Sequence, residues 1–173
     1  MNLSQKSIQE LVKKLKKIEN RLKFNIKLAT KDLMEITYLL LVENFNLNNL
    51  SNHINSLKCT LIDNGNGFKI WTNDWIVIFN EYGTGIKGID THPDPGNYKY
   101  NIQSKYKDDK GRWKYYDKKR DKFFTTSGMK SKHMFYDVEE IIKNHLKDLY
   151  SSAINCSIND EQYNSFLTSI REK

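Results

Sequence analysis

Cysteine is scarce in this 173-residue chain: Cys59 and Cys156 stand far apart, with no Cys-x-x-Cys. That excludes the disulfide framework of a small secreted domain and makes both residues read as reduced thiols. Cys59 reads as a buried, mid-strand residue. Proline is scarcer for the length, with only Pro93 and Pro95, so most of the chain is free to be helical. Long apolar runs are missing too. The longest, Tyr38–Val42, is far too short to cross a bilayer. The first residues are amphipathic and charged, without the apolar segment of a signal peptide. Hydrophobic residues make up 38% of the chain and the mean hydropathy is −0.72, which points to extended or interface-dependent parts beside one core.

Charge is abundant but uneven. Residues 1–31 hold nine Lys/Arg against two Glu, and residues 99–122 hold ten against four acids. Residues 32–98 are acidic, with three basic residues against eight acids. The net +7 thus resides in the first helix and in one later loop, and either can meet a polyanion or simply solvate an exposed face.

The apolar spacing predicts an α+β fold. Ile8, Leu11, Leu15, Ile18 and Leu22, then Ile26, Ala29, Leu33, Ile36 and Leu40, step by three and four, one stripe of a long helix over 1–46. Ser4 or Ser7 reads as its cap, Ser7 with Glu10 as a capping box. Its second half, Leu33–Phe45, is the part to bury. Such a helix extends on the order of 60 Å at 1.5 Å per residue, so its first half needs a partner: another subunit or the chain's own C-terminal helix. Two helices broken near Asn20–Asn25 are the alternative. Residues 57–85 read as a meander of three short antiparallel strands: Leu57–Ile62, Phe68–Trp71 after the Asp63–Gly67 turn, and Trp75–Phe79. Residues 86–122 read as a long loop, with Arg112–Asp117 as a further strand pairing with Tyr100–Tyr106. A second helix is predicted over 131–150. Residues 151–173 form a C-terminal extension: a polar linker, then a short amphipathic helix on Tyr163, Phe166, Leu167 and Ile170.

Chemistry is thinly signalled. Gly83-x-Gly85-x-x-Gly88 has the spacing of a dinucleotide loop, but the helix that should follow is replaced by Ile89-Asp90-Thr91-His92-Pro93. The glycines read instead as a backbone turn. His53, His92, His133 and His145 lack metal-ligand spacing. His92 with Asp90 and Asp94 is a candidate metal or acid–base group, against the plainer reading of a polar turn. His133 and Asp137 sit one helical turn apart and read as a surface pair. Glu81 is a candidate catalytic carboxylate with no second acid beside it. A structural role, accepting amide hydrogens of the following turn or pairing across a subunit boundary, fits it better. The 99–122 loop alternates aromatic and basic residues, among them Lys114, Lys118, Lys119, Arg120 and Lys122, and suits either phosphates and unpaired bases or a protein interface.

Four motifs occur in order: Phe79-x-Glu81-Tyr82-Gly83-Thr84-Gly85, His92-Pro93, Trp113-x-Tyr115, and Thr126-x-Gly128 ahead of an aromatic helix start. Together they resemble the head–tail joining, or tail-completion, family of long-tailed phages. The resemblance covers roughly residues 70–150. It implies a long N-terminal helix and a second helix packed on a small antiparallel sheet. It also implies a non-enzymatic virion protein without cofactor or metal, assembled in the host cytoplasm as a ring, hexameric in the particle. Adjacent connector and tail proteins would be its partners, with DNA in the channel and no membrane. Glu81, Tyr82, Gly83, Thr84, Gly85, Trp113, Thr126 and Gly128 are the motif positions, with roles in fold and ring contact. The long basic loop, a missing proline after Gly128 and the C-terminal extension depart from the family pattern. The alternative functions are a nucleic-acid-binding protein using the 99–122 loop, and a small hydrolase centred on Glu81 and His92.

Overall fold

A computed structural model of the chain describes residues 5–96 and 108–159. The fold is α+β, with a long N-terminal helix, a C-terminal helix and, among the described residues, two small antiparallel sheets of two strands each. The order is α1 (Gln5–Leu47), β1 (Lys58–Ile62), β2 (Gly67–Trp71), α2 (Trp75–Tyr82), a single turn α3 (Gly85–Gly88), β3 (Trp113–Asp117), β4 (Lys122–Thr126) and α4 (Met134–Ile158). β1 pairs with β2, and β3 with β4.

Helix α1 is continuous over 43 residues, with no break near Asn20–Asn25. Ser7 lies inside it rather than capping it, and Ser4 falls outside the described residues.

The chain divides into two compact units. One comprises the described residues of Met1–Ile36, Cys59–Lys69 and Ile142–Lys173. In it, α1 and α4 run antiparallel. Asn25 Nδ2 donates to Ser157 Oγ at 2.9 Å and to the Ala153 carbonyl at 3.4 Å, and Thr30 Oγ1 lies 3.0 Å from the Tyr150 hydroxyl. Ala29, Leu33, Ile142 and Ala153 are buried around these polar contacts. The burial of Ala153 and Ser157 explains why α4 runs on through Ile158, where a polar linker was expected from Ser151. Small side chains let the helices approach, and Ser157 passes its own proton to the Ala153 carbonyl one turn back at 2.7 Å.

The other unit comprises Thr37–Lys58 and the described residues of Ile70–Ile141. Thr37, Leu41 and Phe45 recur every four residues and form the buried face of α1 there. The rest of that half is not buried all round: Ile36 and Leu39 face outward. Leu50, Leu57, Val77, Met134 and Val138 complete the apolar core, and Phe45 meets the Phe135 ring edge-on at 6.1 Å.

Two expectations are corrected, and a third falls outside the described residues. The third meander strand is a helix, α2. Asp74 caps it by accepting the Ile76 N–H at 2.9 Å, and Thr72 Oγ1 in turn accepts the Asp74 N–H at 3.0 Å. Val77, Asn80 and Glu81 are its buried residues, spaced as one helical face. A strand would have put Asn80 on the side opposite Val77 and Glu81. Three-dimensional demand on those polar residues overrides the β-branched run. Trp113–Asp117 is the expected strand and pairs with Lys122–Thr126 across a four-residue turn, while its expected pairing with Tyr100–Tyr106 lies outside the described residues. Finally, Cys59 is exposed, because β1 is exposed along its whole length.

Candidate functional site

The last turn of α2 carries Glu81 to the first turn of α4. Its Oε2 accepts the Phe135 N–H at 2.8 Å, and its Oε1 accepts the Tyr136 N–H at 3.1 Å. The opening N–H groups of a helix have no partner within it, and the helix dipole favours negative charge there. Glu81 therefore caps α4 from 54 residues away in sequence. Oε1 also lies 3.1 Å from His92 Nε2. His92 Nδ1 accepts the Asp94 N–H at 3.1 Å, which assigns the ring the Nε2–H tautomer and makes it the third donor to Glu81. Glu81 and His92 are both buried. The Tyr82 ring covers His92 at 4.8 Å between centroids, and Tyr136 meets it edge-on at 5.6 Å. Burial, with the Glu81 carboxylate alongside, pushes the Tyr82 phenol above its ordinary pKa.

The other motif positions gather beside this cap, in the same unit. Gly83 closes α2 by donating to the Phe79 carbonyl at 2.8 Å. Thr84 and Met129 form an antiparallel bridge: Thr84 N–H to the Met129 carbonyl at 2.9 Å, and the return bond at 3.1 Å. Gly128 stands so close to Thr84 that any Cβ would enter the Thr84 carbonyl, and its φ of 95° suits glycine. Gly85, at φ 61°, lies against the Trp113 ring, in space a Cβ would need. Trp113 pairs across the hairpin with Thr126, whose Oγ1 accepts the Gly128 N–H at 3.0 Å. Glu81, Tyr82, Gly83, Thr84, Gly85, Trp113, Thr126 and Gly128 thus form one backbone junction. Lys132 adds a tie, donating through Nζ to the Asn48 carbonyl at 2.9 Å.

The amides that Glu81 accepts are those of α4 rather than of the turn that follows it, and His92, grouped with it in sequence only as a hydrolase centre, is its hydrogen-bond partner. The only signal for either is the pair of polar residues Asn80-Glu81 ending an apolar run. Asp90, His92 and Asp94 do not assemble as a metal group: His92 is committed to Glu81 and to the Asp94 amide. Among the described residues no cluster of three or more His, Cys, Asp or Glu can hold a metal ion. His133 and Asp137 do pair, Nδ1 to Oδ1 at 2.7 Å, part-exposed. The Gly83-x-Gly85-x-x-Gly88 spacing leads into a single helical turn, α3, and serves the junction rather than a phosphate.

No protein-family model, curated protein sequence or solved structure matches the chain.

The β3–β4 hairpin grows out of the junction at Trp113 and Thr126. Tyr115 stacks on Phe124 at 5.9 Å, and Tyr116 packs across from Phe123 at 5.1 Å. Lys118, Lys119 and Arg120 occupy its turn and are exposed, as are Lys114 and Lys122. Lys122 Nζ lies 5.0 Å above the Phe124 ring, and the Arg120 guanidinium 5.5 Å from it. Phe123 is 70% exposed, so the hairpin presents aromatic surface beside exposed positive charge, with Arg120 also paired to Asp117 at 3.8 Å. Among the described residues no helix is long and apolar enough to cross a membrane.

Proposed function

We propose that the chain is a non-enzymatic structural protein of the head–tail junction of a long-tailed phage, completing the tail or neck ring that joins the DNA-filled head. The observation that carries this reading is the convergence of the motifs. Four short stretches spread over residues 79–128 carry the resemblance, and each contributes to one junction built around the buried Glu81–His92 pair. Their chemistry there is structural. The Glu81 oxygens are engaged by two helix amides and an imidazole N–H, and the glycines are places where backbone touches backbone or ring. A rigid junction of this kind can hold the β3–β4 hairpin out towards a neighbouring copy. In a closed ring many modest contacts of that sort become collectively stable. The basic residues of the hairpin would then lie near the next ring or near DNA.

The test is electron microscopy of particles produced with this gene stopped early. Separate DNA-filled heads and free tails are the expected result. Intact infectious particles would overturn the proposal.

A second reading has its own support in the exposed aromatic and basic hairpin: direct binding of nucleic acid, with Tyr116 and Phe123 as stacking surfaces. It predicts binding of a single-stranded oligonucleotide that weakens steeply with salt. Replacing Lys118, Lys119 and Arg120 with Gln should lower the slope of log affinity against log salt by roughly two, at about 0.7 per phosphate contact. No binding at low salt would sink this reading.

A further inference from the structure

Burial along α1 falls towards its start. Ala29 is buried and Ile18 half-buried, whereas Leu15, Val12, Leu11 and Ile8 are 56%, 45%, 51% and 48% exposed. At 3.6 residues per turn these four side chains fall within an arc of about 100°. The opening turns of α1 thus carry an aliphatic stripe that the rest of the fold leaves in water.

The charge around the stripe is of one sign. Residues 5–17 hold five Lys against Glu10, a net +4. On the same helical wheel Lys14 lies about 60° beyond Leu11 at one edge of the stripe, and Lys16 about 40° beyond Val12 at the other. Lys13 and Lys17 take the opposite face. Glu19, one turn further on, is held by Lys23 at 2.6 Å.

Stripe and charge together select the partner. A second copy would bring two arms of net +4 side by side, and these repel. Nucleic acid would engage the lysines but leave Leu11 and Leu15 in water. The core of a protein interface favours aromatic residues and disfavours Lys, whereas this stripe is wholly aliphatic and edged by Lys on both sides. An anionic bilayer surface uses every part of it. The aliphatic side chains enter the acyl boundary, and the stems of Lys14 and Lys16 lie along it with their ammonium groups among the headgroups. Residues 5–17 would lie in the plane of that surface over about 20 Å.

We propose that the opening turns of α1 form a docking surface for an anionic lipid bilayer, lying on it without crossing it. This goes beyond the head–tail reading, which implies no membrane, and does not depend on it.

The test is co-sedimentation of the full chain with vesicles of phosphatidylcholine, alone or with one-third phosphatidylserine. Binding at least ten-fold tighter to the anionic vesicles is expected. Leu11→Gln with Leu15→Gln, at positions already exposed and with a good helix former, should weaken it at least ten-fold. Each Lys near such a surface strengthens binding about five-fold, so Lys14→Gln with Lys16→Gln should weaken it about 25-fold. No binding to the anionic vesicles overturns the proposal. So does binding that survives Leu11→Gln with Leu15→Gln but is lost when Lys118, Lys119 and Arg120 become Gln, because the β3–β4 hairpin would then be the lipid contact. A concentration-dependent dimer that the Leu variant abolishes, without vesicle binding, overturns it in favour of a second copy. An environment-sensitive nitrobenzoxadiazole label reads the face directly. In the full chain with Cys59→Ser and Cys156→Ser, the label on Leu11→Cys should brighten on the anionic vesicles at least twice as much as the label on Lys13→Cys. Equal brightening at the two positions would refute docking through the stripe.

Discussion

Removing the Glu81 side chain tests the junction most directly. In Glu81→Ala the Phe135 and Tyr136 amides lose their acceptor, and so does His92 Nε2–H. An end-cap lost from a helix costs about 1 kcal/mol, up to about 2. A buried donor left without a partner costs about 1–3 kcal/mol. Glu81 is 4% exposed, so water reaches the vacated space poorly and the higher part of each range applies. The sum is about 4 kcal/mol, a large share of the roughly 5–15 kcal/mol that holds a domain together. Glu81→Gln keeps one acceptor oxygen but turns an NH2 group towards a donor, so about 2 kcal/mol is expected. Urea denaturation followed by far-UV circular dichroism reads both. His92→Phe should cost less in the Glu81→Ala background than in the wild type, because the two residues share a bond. A change below about 0.5 kcal/mol in Glu81→Ala would refute the reasoning, since it would mean that the start of α4 does not need this carboxylate.

Other outcomes follow from single contacts. Gly128→Ala should destabilise by about 3 kcal/mol or more in the same assay, because the new methyl enters the Thr84 carbonyl at a φ of 95°. A near-neutral result would place Gly128 away from Thr84. The hydrogen bond from His53, 2.7 Å away, holds the Asp74 carboxyl below its ordinary pKa, and the Ile76 amide acts in the same direction. The folded value lies below the unfolded one, near 3.9. Asp74 therefore contributes stability that is complete above the unfolded value and is lost as pH falls through the folded value. Thermal melts from pH 6 to pH 2 should show a shallower acid loss in Asp74→Asn than in the wild type, and parallel curves would contradict the pair. Tyr82 has the opposite sign. Its phenol is raised by burial, so stability is complete below the unfolded value near 10 and falls at higher pH, where the unfolded chain ionises first. Tyr82→Phe should flatten melting temperatures between pH 9 and pH 11, and an unchanged slope would show that Tyr82 ionises freely.

Local pattern made much of the chain legible. The three-and-four spacing of α1 runs unbroken from Ile8 to Leu40 and identifies a long helix with no structure in hand. The Asp63-Asn64-Gly65 turn is equally plain, since residues that tolerate positive φ separate two short apolar runs. Where pattern misleads, tertiary demand is the reason. Trp75–Phe79 has the composition of a strand, yet it is helical because Asp74 caps it and because Val77, Asn80 and Glu81 must share one face. α4 outlasts its apolar run because Ala153 and Ser157 are buried beside Asn25, which periodicity of large side chains does not register.

By itself the sequence determined the two long helices, the first hairpin and the positions of the unusual glycines, because these depend on neighbours in the chain. Only the tertiary structure decided what those positions are for. Glu81 meets its partners 11, 54 and 55 residues away, and Gly128 meets Thr84 across 44, distances over which no local rule of spacing operates. A buried carboxylate must find donors wherever the fold supplies them, and here the fold supplies them at the start of α4.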